Sequence, residues 1–265
     1  MTDVPGRRPA SSGSAAGAGD VVRPGGGPGQ DGALQEPDVR AGLRLLLAVA
    51  GAVALAVGLG PVALLVHDRW SPLVRLDASV SRAAERAEEA SPLLRHAALA
   101  LTHLGDPLVV TLGSLVTVVA LLVVHRRRAA LFVAVARIGA LVLSQTTKQV
   151  VGRARPVFAH PIAHAGGASF PSGHALGGSV FWLTTALVVL PAVAPSRRRL
   201  VLAAAVVVSL VVAATRVLIG VHFLTDVVAG LLVGGAWTAV CASVFALWRH
   251  EEGRPQPVLQ QGVDA

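Results

Sequence analysis

The stretch Phe170-Pro171-Ser172-Gly173-His174 stands directly before an apolar run from Ala175 to Leu190. Ser172 occupies the position of a helix N-cap. A helix that begins there directs free backbone N–H groups and the positive end of its dipole towards an anion such as phosphate. Gly173 lets that backbone approach a ligand closely, and His174 can transfer a proton near neutral pH. The pattern predicts an anion site at a helix start, although a capped helix with an incidental histidine would give the same tetrapeptide.

The composition is that of an integral membrane protein. Of 265 residues, 53% are hydrophobic and 14% are charged, and the mean hydropathy is +0.64. The net charge of +8 could indicate nucleic acid, but the basic residues cluster in short runs between apolar segments, which favours membrane orientation instead. The single cysteine, Cys241, excludes an internal disulfide and a cysteine metal cluster. Lys148 is the only lysine, so this position is a candidate for a role that needs a compact ammonium group.

Six apolar segments predict an all-α membrane protein, a bundle of six transmembrane helices. Residues 1–40, rich in Gly, Pro, Ser and Ala, predict a disordered tail, residues 41–249 the membrane domain, and residues 250–265 a polar tail. The predicted spans are Leu45–Val66, the segment from Pro107 to Val124, Ala129–Thr147, Ser172–Ala192, Leu200–Thr215 and His222–Trp248.

Two features lie outside this simple pattern. Residues 67–104 predict an amphipathic helix with a break at Ser91-Pro92; it either lies along the membrane surface or is a solvated loop helix. Its apolar residues at helical spacing are Leu76, Val80, Ala83 and Ala87. Arg137 interrupts the third span, so we expect it to face the bundle interior, without a chemical role.

The charge pattern predicts the orientation. Arg40 and Arg44 precede the first span, which reads as an uncleaved signal anchor with a cytoplasmic N-terminus. Triple-arginine loops follow the second and fourth spans and belong on the same, cytoplasmic side, as does the C-terminus. The polar loop 148–169, the turn 216–222 and the start of the fourth span then face outward. Because Ala, Val and Arg usage is typical of a GC-rich bacterial genome, we expect a bacterial cell membrane.

Two of the outward residues form a candidate acid–base pair. His222 and Asp226 are four residues apart and share a face of a helix. Asp226 is the only acidic residue in the six spans, and a carboxylate there needs a partner. It can hold one imidazole nitrogen and leave the other basic. A structural His–Asp pair that ties two helices together would have the same spacing.

The remaining outward residues are mostly cations. Lys148, Arg155 and Arg216 supply the positive charge that phosphoryl oxygens require, although any one of them could be an interfacial anchor. We interpret Arg153 as such an anchor. His160 and His164 are expected to be loop histidines rather than metal ligands.

Three clusters together resemble the tripartite signature of the type 2 phosphatidic acid phosphatase superfamily, in its integral membrane branch. They are Lys148 to Arg155-Pro156, Pro171-Ser172-Gly173-His174, and Thr215-Arg216 followed by His222 and Asp226. The resemblance covers residues 41–249, and Thr215 departs from it where serine is usual.

The resemblance implies a role for each matching residue. His222 would be the nucleophile that forms a phosphohistidine, Asp226 would orient it, and His174 would protonate the leaving oxygen and then help to activate water. The phosphoryl oxygens would be held by Lys148, Arg155, Ser172, Gly173 and Arg216. No metal and no other cofactor is implied.

These observations predict a metal-independent lipid phosphatase. Its substrate would be a lipid phosphate monoester or pyrophosphate, such as undecaprenyl pyrophosphate, phosphatidylglycerol phosphate or phosphatidic acid. The expected partners are this substrate and bilayer lipids, not nucleic acid; the oligomeric state is left open. Two alternatives remain: a vanadium-dependent haloperoxidase-like enzyme, which the predicted spans disfavour, and a non-catalytic lipid-phosphate binder or transporter, which would not need an acid and a nucleophile.

Overall fold

The computed structural model describes residues 46, 51, 60–158 and 162–251 of the chain. Within them every regular element is a helix, as the sequence predicts. The predicted tail 1–40, most of the predicted first span, most of the tail 250–265, and His160 lie outside the described residues. All the described helices belong to one compact unit, Glu36–Ala265.

Seven helices follow a short helical segment at residues 60–67. A short 3-10 turn, Thr102–Gly105, follows the second of these helices, and another, Leu190–Ala192, follows the fifth. The helices are α1 (Ser71–Ala90), α2 (Pro92–Leu101), α3 (Pro107–Val123), α4 (Arg127–Val151), α5 (Gly173–Val189), α6 (Pro195–Leu218) and α7 (Leu224–Glu251).

Four of these helices are long and apolar enough to cross a membrane. A fifth span is added if Pro92–Gly105 and Pro107–Val123, which meet at an angle of 41°, count as one bent span. The segment predicted as the second span forms a helix of only 17 residues, fewer than the roughly 20 that the hydrocarbon core requires. The described residues therefore contain four or five candidate spans. The four are Arg127–Val151, Gly173–Ala192, Pro195–Leu218 and Leu224–Ala246. Most of the first predicted span lies outside them, so the total of six stays a prediction.

Local sequence fixes the helix ends that matter for the site. Ser172 is the N-cap of α5, because its Oγ accepts a hydrogen bond from the Ala175 N–H at 3.4 Å. Asp106 caps α3 in the same way through the Leu108 N–H at 2.8 Å. At its far end α4 stops at Gly152, whose φ of 61° is readily adopted only by glycine.

Helix α5 lies at the centre of the bundle, in contact with α3, α4, α6 and α7. Its closest neighbour is α7, which presents glycines four residues apart, Gly230 and Gly234. A Cβ atom on Gly230 would lie 2.8 Å from the Ser172 carbonyl oxygen, and one on Gly234 would lie 2.8 Å from the Leu176 carbonyl oxygen. The absence of side chains here brings the starts of α5 and α7 together.

The orientation of α1 was not predicted by its apolar pattern. The helix packs against α6 and α7, and its buried side chains include Asp77 and Glu88. Leu76, from the predicted apolar set, is 46% exposed, and Ala83 is exposed as well. The predicted break at Ser91-Pro92 is confirmed. Asp77 is buried because it forms an ion pair with Arg153, which lies in the loop after α4.

The predicted inward orientation of Arg137 is confirmed. Its side chain is buried and donates hydrogen bonds to the Thr111 Oγ1 at 2.6 Å and to the Pro107 carbonyl at 3.4 Å. It thereby joins α4 to the start of α3.

Candidate active site

The predicted site residues lie at one end of the bundle, at helix termini and in the loops between them. Lys148 is in the last turn of α4, and Arg216 is in the last turn of α6. Ser172, Gly173 and His174 begin α5, and Asp226 is in the first turn of α7. Because consecutive helices run in opposite directions, these termini meet on the same side.

Direct contacts join the three sequence clusters. The Ser172 N–H donates to the Asp226 backbone carbonyl at 2.9 Å, which links the second cluster to the third. Arg155 Nη1 lies 3.1 Å from His222 Nε2, which links the first to the third. Lys148 Nζ lies 3.6 Å from the position that a Cβ atom on Gly173 would occupy, which links the first to the second.

His222 lies in the turn before α7 rather than on the helix itself. The predicted pairing nevertheless forms, because Asp226 faces back across the helix start and its Oδ2 lies 3.4 Å from His222 Nδ1. A carboxylate at Nδ1 favours a proton on that nitrogen, so Nε2 is left as the acceptor for Arg155.

The charge state of His222 follows from its surroundings. Burial lowers the pKa of His222 to about 4, and the positive charges of Arg155 and Arg216 act in the same direction against the opposing effect of Asp226. The imidazole is therefore neutral at pH 7, with a lone pair on Nε2. This is the form that a nucleophile or general base requires.

Asp226 has more partners than the sequence indicates. Its Oδ2 accepts hydrogen bonds from the Ser169 hydroxyl and from the Phe223 N–H at 2.9 Å, and its Oδ1 accepts one from Arg153 Nη1 at 2.6 Å. The interpretation of Arg153 as an interfacial anchor is therefore wrong. The signal for both missed residues was Asp226 itself, since a fully buried carboxylate needs several donors and a positive charge.

Arg155 is held by backbone carbonyls of the two adjoining loops. Its Nε donates to Gly167 at 3.1 Å, and its Nη2 donates to Gly166 at 3.0 Å and to Ala168 at 3.3 Å. Its Nη1 donates to Val221 at 2.7 Å as well as to His222. Burial lowers the pKa of Arg155, with Asp226 acting in the opposite direction, but a guanidinium stays charged.

Arg216 and His174 complete the cluster. The Arg216 side chain is buried, and its Nη1 donates to the Thr102 Oγ1 at 2.7 Å. Its Nε is buried and has no hydrogen-bond partner within the described part of the chain. His174 is close enough to Arg216 and to His222 to interact with both electrostatically.

Two further sequence expectations concern peripheral residues. The Thr215 hydroxyl, in the position of the usual serine, donates to the Val212 carbonyl of its own helix at 2.6 Å. His164 is exposed in the loop before α5. Among the described residues no group of three His, Cys, Asp or Glu side chains could hold a metal ion.

Known proteins resemble this chain in sequence and in fold. Residues 129–249 match the family model of the PAP2 superfamily. We call residues 129–249 the PAP2 region. The PAP2 region contains all of the predicted catalytic and phosphate-binding residues, from Lys148 to Asp226. It does not contain α1, α2 or α3.

Curated relatives of the chain include two named phosphatases. Phosphatidylglycerophosphatase B of Bacillus subtilis (strain 168) is 33% identical over 95 residues, 35% of this chain and 46% of that protein. A lipid A 1-phosphatase of Rhizobium etli is 34% identical over 113 residues, 39% of this chain and 45% of that protein. The chain thus spans less than half the length of these relatives.

A solved structure shares the fold over a larger part of the chain. It is the crystal structure of a transmembrane PAP2 type phosphatidylglycerolphosphate phosphatase from Bacillus subtilis, with a TM-score of 0.65 and 24% identity. The likeness covers 72% of this chain and 94% of that one. Together with its own apolar helices, this makes the chain a multi-pass membrane protein of all-α fold.

Proposed function

We propose that the chain is a metal-independent phosphatase that hydrolyses a lipid phosphate monoester or a lipid pyrophosphate. The observation that carries this proposal is the state of His222. Its Nδ1 faces Asp226, and its Nε2 keeps a lone pair within 3.1 Å of a guanidinium that can bind phosphate. A pair that only tied helices together would not need an unprotonated nitrogen beside the guanidinium of Arg155.

The reaction would proceed in two displacements. Once Arg155 Nη1 has turned from His222 Nε2 to the phosphoryl group, the freed lone pair of Nε2 attacks phosphorus. The bond from phosphorus to the lipid oxygen breaks, and His174 gives a proton to that oxygen. His174 then takes a proton from water, whose oxygen attacks the phosphohistidine, and the phosphorus–nitrogen bond breaks to release phosphate. Asp226 stabilises the positive charge that the imidazole carries in the intermediate.

The phosphoryl oxygens would be held by side chains and by the start of α5. The unpartnered Arg216 Nε and the Lys148 ammonium are suited to this role, together with the Gly173 N–H and the positive end of the helix dipole. Ser172 contributes its hydroxyl in addition to capping the helix. Arg155 joins them once it releases a loop carbonyl, because its donors are otherwise occupied.

The substrate class follows from the position of the site and from the relatives. Helix ends at one face of a bundle suit a head group whose lipid tails stay in the bilayer. One relative is named for a phosphatidylglycerophosphate and another for lipid A, so phosphorylated lipids are the compounds to test first. Phosphatidylglycerol phosphate, phosphatidic acid and undecaprenyl pyrophosphate are the proposed panel.

We also propose that six spans place the site outside a bacterial cell membrane, with both termini in the cytoplasm. Val66, at the end of the helical segment 60–67, packs against Val151 and Phe170 beside the site, so a span that ends there would begin on the opposite side. The arginine runs 126–128 and 197–199 lie at the opposite ends of α4 and α6 from Lys148 and Arg216. The positive-inside rule assigns that end to the cytoplasm.

The test is phosphate release by the purified protein from each lipid in liposomes, with and without EDTA. We expect turnover of at least one lipid, unaffected by EDTA, and its loss in H222A. Equal turnover by H222A would refute the nucleophile, and loss with EDTA would refute a metal-independent reaction. Binding of the lipids by the wild-type protein without any turnover would identify a lipid-phosphate binder instead.

A further inference from the structure

A buried ion network connects α1 to the proposed nucleophile. Asp77, in the second turn of α1, is 1% exposed, and its partner Arg153 lies in the loop after α4. Arg153 Nη2 donates to Asp77 Oδ2 at 2.6 Å, while its Nη1 donates to Asp226 Oδ1 at 2.6 Å. One guanidinium thus joins two carboxylates, of which one contacts His222.

The same network fixes the first turn of α7. Asp77 Oδ1 accepts the Thr225 N–H at 3.0 Å, and its Oδ2 accepts the Thr225 hydroxyl at 2.6 Å. The Thr225 Oγ1 in turn accepts a hydrogen bond from Arg153 Nη1 at 2.7 Å. The residue before Asp226 is therefore bound to α1 through both its backbone and its side chain.

These contacts determine which oxygen of Asp226 faces the imidazole. Because Arg153 binds Oδ1, the carboxylate plane is fixed and Oδ2 is left for His222, Ser169 and the Phe223 N–H. The Phe223 ring lies under the guanidinium, with 4.1 Å from Arg153 Cζ to the ring centroid, and limits its movement. The Arg153 guanidinium is therefore held at its edge by the two carboxylates and at its face by the Phe223 ring.

The network also has a charge that suits the proposed reaction. Two carboxylates and one guanidinium carry a formal charge of about −1, counting each group as ionised. A single Arg153–Asp226 pair would be neutral and would stabilise a positive imidazole less. With Asp77 present, the network carries a net negative charge, and this charge balances the positive charge on His222 in the phosphohistidine.

We propose that Asp77 and Arg153 are positioning residues for the nucleophile, so that α1, from outside the PAP2 region, completes the active site. This inference rests on the proposed function, because it concerns the attack by His222. It implies that the PAP2 region alone does not contain everything that the reaction needs.

The test compares D77N with two controls in the full chain, in liposomes. D77N keeps the size of the side chain and removes its charge. T225V removes the hydroxyl that donates to Asp77 and accepts from Arg153, but it leaves both ion pairs of Arg153. E89Q removes an exposed carboxylate from the same helix and should behave as the wild type.

We expect D77N to lower kcat by about 10-fold to 100-fold while KM changes less than about twofold. Rapid-quench trapping should show less covalent phosphate on D77N than on T225V, since formation of the phosphohistidine is the slowed step. R153K should also lose at least about 10-fold in kcat, because one ammonium cannot hold two carboxylates in the geometry of a guanidinium.

The inference is overturned if D77N matches E89Q in kcat, or if D77N and T225V lose kcat and trapped phosphate equally, which would indicate a purely structural link. If D77N does not fold, wild-type kcat in R153K overturns it. H222A separates this inference from the proposed function. An active H222A refutes the function itself, whereas an inactive H222A beside a fully active D77N refutes only the role of Asp77.

Discussion

Substitution of Gly230 by alanine should disturb the chemistry more than the fold. An added Cβ would lie 2.8 Å from the Ser172 carbonyl oxygen, 0.6 Å short of the 3.4 Å at which ordinary contact begins. The atom in the way belongs to the backbone at the start of α5, so no side-chain rotation relieves the contact. Either helix must move by roughly this distance.

The movement falls on the site because Ser172 and Asp226 are joined. The Ser172 N–H donates to the Asp226 carbonyl at 2.9 Å, and Gly230 is one helical turn beyond Asp226. A misplacement of about 1 Å can cost about 100-fold in rate, so we expect G230A to lose about 10-fold in kcat. Overpacking costs about 1–3 kcal/mol, and the better helix propensity of alanine offsets about 1 kcal/mol of it.

Gly235 offers a matched control on the same helix, since a Cβ there meets nothing within 4 Å. G235A should keep the wild-type kcat and have an equal or higher melting temperature in detergent. The assay is the initial rate of phosphate release over a range of lipid concentrations, beside a thermal melt. If G230A and G235A have the same kcat, the close approach of α5 and α7 does not position the site.

Three other perturbations test individual contacts of the site. S169A removes a hydroxyl that donates a hydrogen bond to Asp226. Because a hydrogen bond to a charged group contributes about 1.5–3 kcal/mol, kcat should fall by about 10-fold or more. An unchanged kcat would show that the reaction does not need this hydroxyl. R155K cannot hold the loop carbonyls and a phosphate with one ammonium, so kcat/KM should fall by about 100-fold, and near-wild-type kinetics would contradict phosphate binding by Arg155. The pKa of His222 is about 4 in the folded chain and 6.5 in its ordinary state. Between these two pH values the unfolded chain binds a proton that the folded chain does not. The free energy of unfolding must therefore fall as the pH drops through this range. Thermal melts at pH 7 and pH 5 should therefore show a larger loss for the wild type than for H222Q, and equal losses would contradict a neutral buried imidazole.

The sequence predicted the helices well where local signals act. The apolar runs, the cap at Ser172 and the pairing of His222 with Asp226 depend on residues within a few positions of one another. The number of spans was less predictable, because α3 has only 17 residues and counts as a candidate span only when it is taken together with its bent neighbour. Most of the first predicted span lies outside the described residues, so that span stays a prediction.

Partners distant in sequence could not be predicted in this way. Ser169 and Arg153 lie 57 and 73 residues before Asp226, and Asp77 lies a further 76 residues before Arg153. No periodicity relates such positions. Arg153 was interpreted as an anchor because neither of the carboxylates that it binds is near it in the sequence. A better rule for this chain would have been that a buried carboxylate requires a cation, and that a second carboxylate can share it.

The occupied state of Arg155 has a consequence for the end of a catalytic cycle. Its guanidinium already has four loop carbonyls and His222 as partners, so a departing anion is replaced at once by groups of the protein. In the proposed reaction, free phosphate would lack the lipid tail that holds the substrate at the membrane, and it would have to compete with those carbonyls without it. We therefore expect weak product inhibition, because the loop carbonyls compete with phosphate for the donors of Arg155.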